Sequence, residues 1–266
     1  MKKLLKNGYM LLIFAFLYAP VIVLIIFSFN DAKSRAVWGG FTLEWYRKLF
    51  QNADILSALR VTLIIALLSA LISTFVAAIT CLGLQSMKRR LRSAIMQVTY
   101  IPNVSPDLVT GISLMLLFYF IGIKTGFPTL LMAHIAFNIP YAILSISPKF
   151  KQLDINIYEA ALDLGCRPYQ AIIKVILPEI MPGIVTALIL TFTLSIDDFV
   201  ISYFTAGNQI STLAITIYSM ARKSVNPQIN ALSALMFITV LVLLIIVNIR
   251  SGKDSRIKAG TRGGVK

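Results

Sequence analysis

The sequence predicts an all-α protein, a polytopic membrane helix bundle with six transmembrane helices. Three observations predict it. The 266 residues are 58% hydrophobic, with a mean hydropathy of +0.81. Charged residues make up 14%, where a soluble domain carries roughly a quarter. Several apolar runs also exceed the roughly 18 residues that cross a bilayer as a helix. A soluble core of this length cannot hide that much apolar chain. The organisation expected is one membrane domain over residues 1–250 and a basic tail over 251–266, with no large soluble domain.

The elements follow in order. Lys2, Lys3 and Lys6 precede an apolar run from Tyr9 to Phe29. That run is too long for the core of a signal peptide, and no small-x-small site follows it, so 9–29 reads as the first span. Next, Phe41, Trp45 and Leu49 recur every four residues, with Thr42 placed to cap a helix and Glu44 in its first turn. This predicts a short amphipathic helix on the outer membrane interface that leads into the second span. The further spans are predicted at 58–84, 94–122, 127–147, 183–204 and 231–249. The third contains Pro102 and Pro106, each of which frees a backbone carbonyl and bends the axis. The Gly/Lys/Arg-rich tail after Arg250 is expected to be disordered.

The net charge is +14. The basic residues are scattered between apolar spans, which fits the Lys/Arg bias of cytoplasmic loops and not a nucleic-acid surface. With the N-terminus inside, 17 of the 25 Lys and Arg residues fall in inner segments, among them Lys88, Arg89, Arg90 and Arg92. Both termini are therefore expected in the cytoplasm of a multi-pass inner-membrane protein. Cys81 and Cys166 lack metal-ligand spacing and are expected as free thiols. No metal site is expected. No phosphate-binding G-x-x-x-x-G-K-[ST] loop occurs, so the chain has no such route to ATP hydrolysis of its own.

Residues 148–182 form the longest predicted inner loop, far more than a connector needs. A helix is expected from Ile155 to Leu164, with Asp154 or Asn156 as N-cap and Glu159 completing a capping box with Asn156. Ala160 and Ala161 leave room for another surface to approach. Gly165 suits the left-handed position that ends a helix. Pro168 suits the first turn of the next helix, which is expected to run to Leu177 and to be ended by Pro178 and Pro182. The blander reading is an ordinary helical hairpin.

Glu159-Ala160-Ala161-Leu162-Asp163-Leu164-Gly165, followed at family spacing by Val175-Ile176-Leu177-Pro178, resembles the EAA loop of ABC-importer permeases. Val175 stands where isoleucine is usual, an apolar exchange. The resemblance implies the type I ABC-importer permease fold. It also implies that Glu159, Ala160, Ala161, Asp163, Gly165, Leu177 and Pro178 lie at a joint with a separate ATPase dimer, which would bind ATP-Mg. This chain would bind no cofactor. The further partners implied are a second permease as heterodimer, an extracytoplasmic solute-binding protein and membrane lipid. Tyr-Ala-Pro-Val near the N-terminus, Ser105-Pro106-Asp107 and Leu194-Ser195-Ile196-Asp197-Asp198 are similar to the polyamine branch of that family, which implies spermidine or putrescine as cargo.

Acids inside the membrane are the second signal. Asp107, Asp197 and Asp198 sit in or beside spans, each costing about 2.5–3.5 kcal/mol at a helix centre. Such groups face a wet path or a partner. A polyamine path needs carboxylates to replace hydration and aromatic faces for cation–π contact. Tyr100, Phe199 and Tyr203 are the candidate aromatics, with Phe118 and Phe204 nearby. The structural reading is that Asp107 caps a restarting helix and that one of the adjacent Asp197 and Asp198, about 100° apart on a helix, holds a helix end. Two other classes make different demands on the sequence. An ion-driven secondary transporter would not need the EAA hairpin. An intramembrane protease would need aspartates from separate helices, whereas these two are adjacent. The lone His134 is read as hydrogen-bonded to a neighbouring helix.

Overall fold

The computed structural model describes residues 2–32, 37–223 and 227–262, so Lys33 and Arg35 of the first loop and residues 263–266 of the tail lie outside the description. The described residues are helical, with one isolated antiparallel bridge between Asn30 and Phe41. Five helices are long and apolar enough to cross a membrane, or six if one bent pair counts as a span.

Two compact units form, Met1–Leu59 with Leu213–Thr239, and Arg60–Thr212 with Val240–Lys266. In the first, α1 (Lys2–Phe27) leads to α2 (Glu44–Gln51). Asn30 is fully buried and ties the intervening chain. Its Nδ2 donates to the Val37 carbonyl, its Oδ1 accepts from the Gly39 amide, and its own carbonyl accepts the Trp45 indole N–H at 2.7 Å. Trp45 and Leu49 pack on Ile55 and Ala58 of α3 (Ala53–Ser86), Leu213 of α11 (Leu213–Lys223) and Leu232 of α12 (Gln228–Arg262). The amphipathic helix was expected to rest on the membrane interface. Its apolar face is instead spent on protein, and Phe41, expected on the same face, is exposed and stacks on Phe29. Thr42 accepts the Glu44 amide but sits one residue before the N-cap, Leu43.

The second unit is built on α6 (Phe127–Gln152), whose side chains from Thr129 to Phe150 are largely buried. It packs on α9 (Leu177–Asp197). The crossing is close at Gly183, where an added Cβ would stand 2.7 Å from Lys149 Cγ and 3.6 Å from Ile146 Cα. Asn138 of α6 donates to Ser195 of α9 at 2.7 Å and to Ser69 of α3 at 3.3 Å, and the two serine hydroxyls are 3.0 Å apart. Polar bridges of this kind join helices where lipid offers no hydrophobic drive.

Several boundaries differ from expectation. The third span is not one helix: α4 (Arg89–Val104) and α5 (Asp107–Ile121) meet at 105°. Ser105 and Pro106 are extended there, because proline disfavours helical backbone in the residue before it. Pro102 is accommodated inside α4. The fifth span stops at Asp197, and Val200–Thr205 form a separate short helix, α10. Leu213–Lys223 was not foreseen as a helix. The tail expected to be disordered continues α12 as far as Arg262, since no proline interrupts the helix after it starts.

Candidate functional site: a coupling hairpin and a broken acidic helix

The hairpin begins with α7 (Ile155–Asp163), capped by Asp154, whose Oδ1 accepts the Asn156 amide at 3.0 Å. Asp154 is thus the N-cap, and the Asn156–Glu159 box does not form. The helix ends in a Schellman motif. The Cys166 amide donates to the Ala161 carbonyl, the Gly165 amide donates to Leu162, and Gly165 is left-handed at φ +86°. That conformation favours glycine because it crowds a Cβ against the carbonyl. Arg167 then takes the N-cap position of α8 (Pro168–Ala171), its backbone amide donating to Gln170 Oε1 at 3.1 Å, with Pro168 at the first helical position.

Beyond α8 the structure corrects the expected stop. Pro178 and Pro182 do not end the helix. A π turn over Ile172–Ile176 joins α8 to α9, its Leu177 amide reaching back to Ile172. The wider turn sits just before Pro178, whose ring would collide with the carbonyl four residues back and which offers no N–H to it. The result is one unbroken helix from Pro168 to Asp197, 30 residues or about 45 Å. Glu159, Ala160, Asp163 and Gly165 are exposed on the hairpin, as is Pro178, while Leu177 is half-buried and Ala161 is buried.

The far end of that helix carries the acids. Asp198 terminates α9 and caps α10. Its Oδ1 accepts the Ile201 amide at 3.2 Å and its Oδ2 accepts Ser202 at 2.7 Å. His134 of α6 stands against it, with Nε2 3.0 Å from Ser202 Oγ and 3.6 Å from Asp198 Oδ2. The two side chains are 1% and 8% exposed, so the carboxylate expected in the path is engaged inside the protein. The Nε2–H tautomer suits this geometry, leaving Nδ1 without a partner. Asp197, one residue earlier, is exposed and makes no hydrogen bond or ion pair among the described residues.

Asp107 is exposed in the first turn of α5 and makes no capping hydrogen bond; Pro106, not Asp107, is the N-cap. It lies on the face of α5 that carries Gly111, four residues on. An added Cβ at Gly111 would meet Phe204 at 3.1 Å and the Val200 carbonyl at 3.4 Å, so α5 runs against α10. Asp107 also acts electrostatically on Tyr141, whose ring is 5.0 Å from Phe137. Phe199, just before α10, and Tyr203 and Phe204 on it form a chain of ring contacts at 5.4 and 5.5 Å. The fold therefore gathers Asp107, the α10 aromatics and the α9–α10 break. It does not join Tyr100 to them: that residue lies on α4, before the bend, half exposed and without a ring contact among the described residues. His134, expected to hydrogen-bond a neighbouring helix, does so through Ser202 of α10; its place beside Asp198 is what the sequence did not indicate.

Residues 75–250 match the family of binding-protein-dependent transport system inner membrane components. The chain belongs to that family. The spermidine/putrescine transport system permease protein PotC of Escherichia coli K12 is 37% identical over 243 residues, covering 91% of this chain and 92% of the relative. The putrescine permease PotI of the same strain is 38% identical over 234 residues, covering 85% and 83%. Among solved structures, a bacterial ABC transporter that imports alginate matches with TM-score 0.66 at 19% identity, covering 96% of each chain. The MetNI methionine ABC transporter matches with TM-score 0.57 at 17% identity, covering 77% of this chain and 94% of that one. The fold is that of type I ABC-importer permeases, and the protein is a multi-pass membrane protein.

Proposed function

We propose that this chain is a membrane-spanning permease subunit of an ATP-driven importer that carries polyamines into the cytoplasm, with both termini on the cytoplasmic side. The observation that carries the proposal is the unbroken helix from Pro168 to Asp197. One end holds the exposed hairpin and the other ends at exposed Asp197. Displacement of the hairpin is passed along a rigid rod to the acidic break. Family membership and the polyamine relatives support this reading.

A separate ATPase dimer binds ATP-Mg and seats Glu159, Ala160, Asp163 and Gly165, with Ala161, Leu177 and Pro178 holding the hairpin's shape. A second permease completes the path, and an extracytoplasmic binding protein supplies most of the cargo affinity. Asp107 and Asp197 replace part of the hydration of a multiply charged amine, with Phe199, Tyr203 and Tyr100 offering ring faces. Asp198 and His134 hold the break in place and do not touch the cargo.

The test is ATP-dependent uptake of labelled spermidine and putrescine into liposomes containing the assembled transporter. Asp197→Asn and Asp107→Asn are each expected to lower uptake by about tenfold, the worth of one charge-assisted contact. Unchanged uptake in both variants would remove the acidic path. Glu159→Lys is expected to stop uptake while membrane insertion is unchanged; full uptake would remove the coupling role.

A further inference from the structure

A recess lies within the larger unit, away from the acids. It is a cavity of about 530 Å³ where the end of α3 meets the coupling hairpin, a size typical of small-molecule sites. Its walls are Ile79 and Leu82 of α3, Phe150 of α6, Tyr158 of α7 and Ile176 of the π turn. Towards the last turn of α3 the lining becomes polar, at Gln85 and Ser86. Ile79 and Ser86 are about 10 Å apart along the helix.

Directly after that polar rim come Lys88, Arg89, Arg90 and Arg92. The first three are exposed, and none of the four makes an ion pair among the described residues. Arg92 lies close enough to act electrostatically on Cys81, in the helical turn between Ile79 and Leu82. The quartet also opens α4 with no acid in its first turn and no side-chain cap, so cations crowd a helix end that already favours anions. An apolar slot, a polar rim and positive charge without ion-pair partners follow one another along the chain from Ile79, across the end of α3, to Arg92 at the start of α4. That order matches a molecule with an apolar tail and an anionic head. Basic groups flanking a membrane helix attract anionic lipid in this way.

We propose that this recess is a binding site for one anionic phospholipid, its acyl chain in the slot beside Gly83 and its phosphate among Lys88, Arg89, Arg90 and Arg92. The lipid then touches α3 and the coupling hairpin together, through Tyr158 and Ile176. The proposal is independent of which solute the permease carries.

Gly83 supplies the sharpest test. Gly83 lines the slot and an added Cβ there has no heavy atom within 4 Å, so a larger residue starts from open space. The full chain, purified in detergent, is titrated with phosphatidylglycerol or phosphatidylcholine, and bound lipid is counted by native mass spectrometry. Wild type is expected to retain phosphatidylglycerol over phosphatidylcholine by more than about tenfold. Gly83→Phe is expected to lose that retention with all four cations intact. Changing Lys88, Arg89, Arg90 and Arg92 together to Gln is expected to abolish the preference, whereas Arg47→Gln, in the other unit, leaves it unchanged. Wild-type retention by Gly83→Phe overturns the proposal, and so does a preference that survives loss of the quartet. Equal retention of glycerol phosphate overturns the acyl seat. Loss of a second permease from Gly83→Phe with lipid binding intact assigns the recess to a protein interface instead.

Discussion

At the residue scale, two adjacent aspartates show how position along a helix separates roles. Asp198 spends both oxygens on backbone amides of α10 and faces His134, whereas Asp197 points its charge outward. Asparagine caps a helix about as well as aspartate, while alanine costs about 1 kcal/mol. Thermal unfolding in detergent should therefore rank Asp198→Ala below Asp198→Asn and wild type, and Asp197→Asn should unfold like wild type. Abolished uptake by Asp198→Asn at unchanged stability would return Asp198 to the transport path. Nothing in the sequence ranks the two acids. What separates them is the approach of α6, which brings a histidine 64 positions away in the chain to one of them and not to the other.

At the element scale, the hairpin was largely legible. Asp154, the left-handed Gly165 and Pro168 act through local backbone geometry, and the structure places all three as their chemistry demands. Gly165→Val should strain the Schellman turn by about 1–2 kcal/mol. Hydrogen exchange at the amides of residue 165 and Cys166, the two donors of the turn, is expected to quicken, and unchanged exchange would show that the turn tolerates a Cβ. Pro178 misled because a proline after a helical pattern running from Pro168 to Leu177 reads as a stop, yet a π turn before it removes the collision. Pro178→Ala restores the amide and lets the turn revert to α. Taking the extra residue of the wide turn into α register rotates the hairpin about 100° against α9. Transport-coupled ATP hydrolysis is expected to fall while the protein stays folded; coupled hydrolysis at the wild-type rate would mean the π turn has no part in registering the hairpin.

At the scale of the whole molecule, each unit has its own way of cohering. The smaller one depends on a single aromatic residue: Trp45 fills the core and donates to the Asn30 carbonyl. Trp45→Ala should cost about 3–5 kcal/mol and appear as a large drop in the detergent unfolding temperature. A drop within the range of surface substitutions would mean that α2 is peripheral. The larger unit coheres through α6, by close packing on α9 and by hydroxyl and amide bridges to α3, α9 and α10. Its hairpin remains exposed at Glu159, Ala160 and Asp163.

The sequence by itself determined the membrane class, the approximate positions of most long helices and the form of the hairpin. Hydropathy, basic-loop bias and turn chemistry are written into consecutive residues, and bilayer thickness turns run length into a count of spans. Only the tertiary structure decided what covers the apolar face of α2, where the third span breaks through 105°, that Pro168–Asp197 is one rod, and which aspartate is held by His134. Each of those depends on the approach of helices distant along the chain. Close approach satisfies or strands individual polar groups, and no local pattern records which partner arrives.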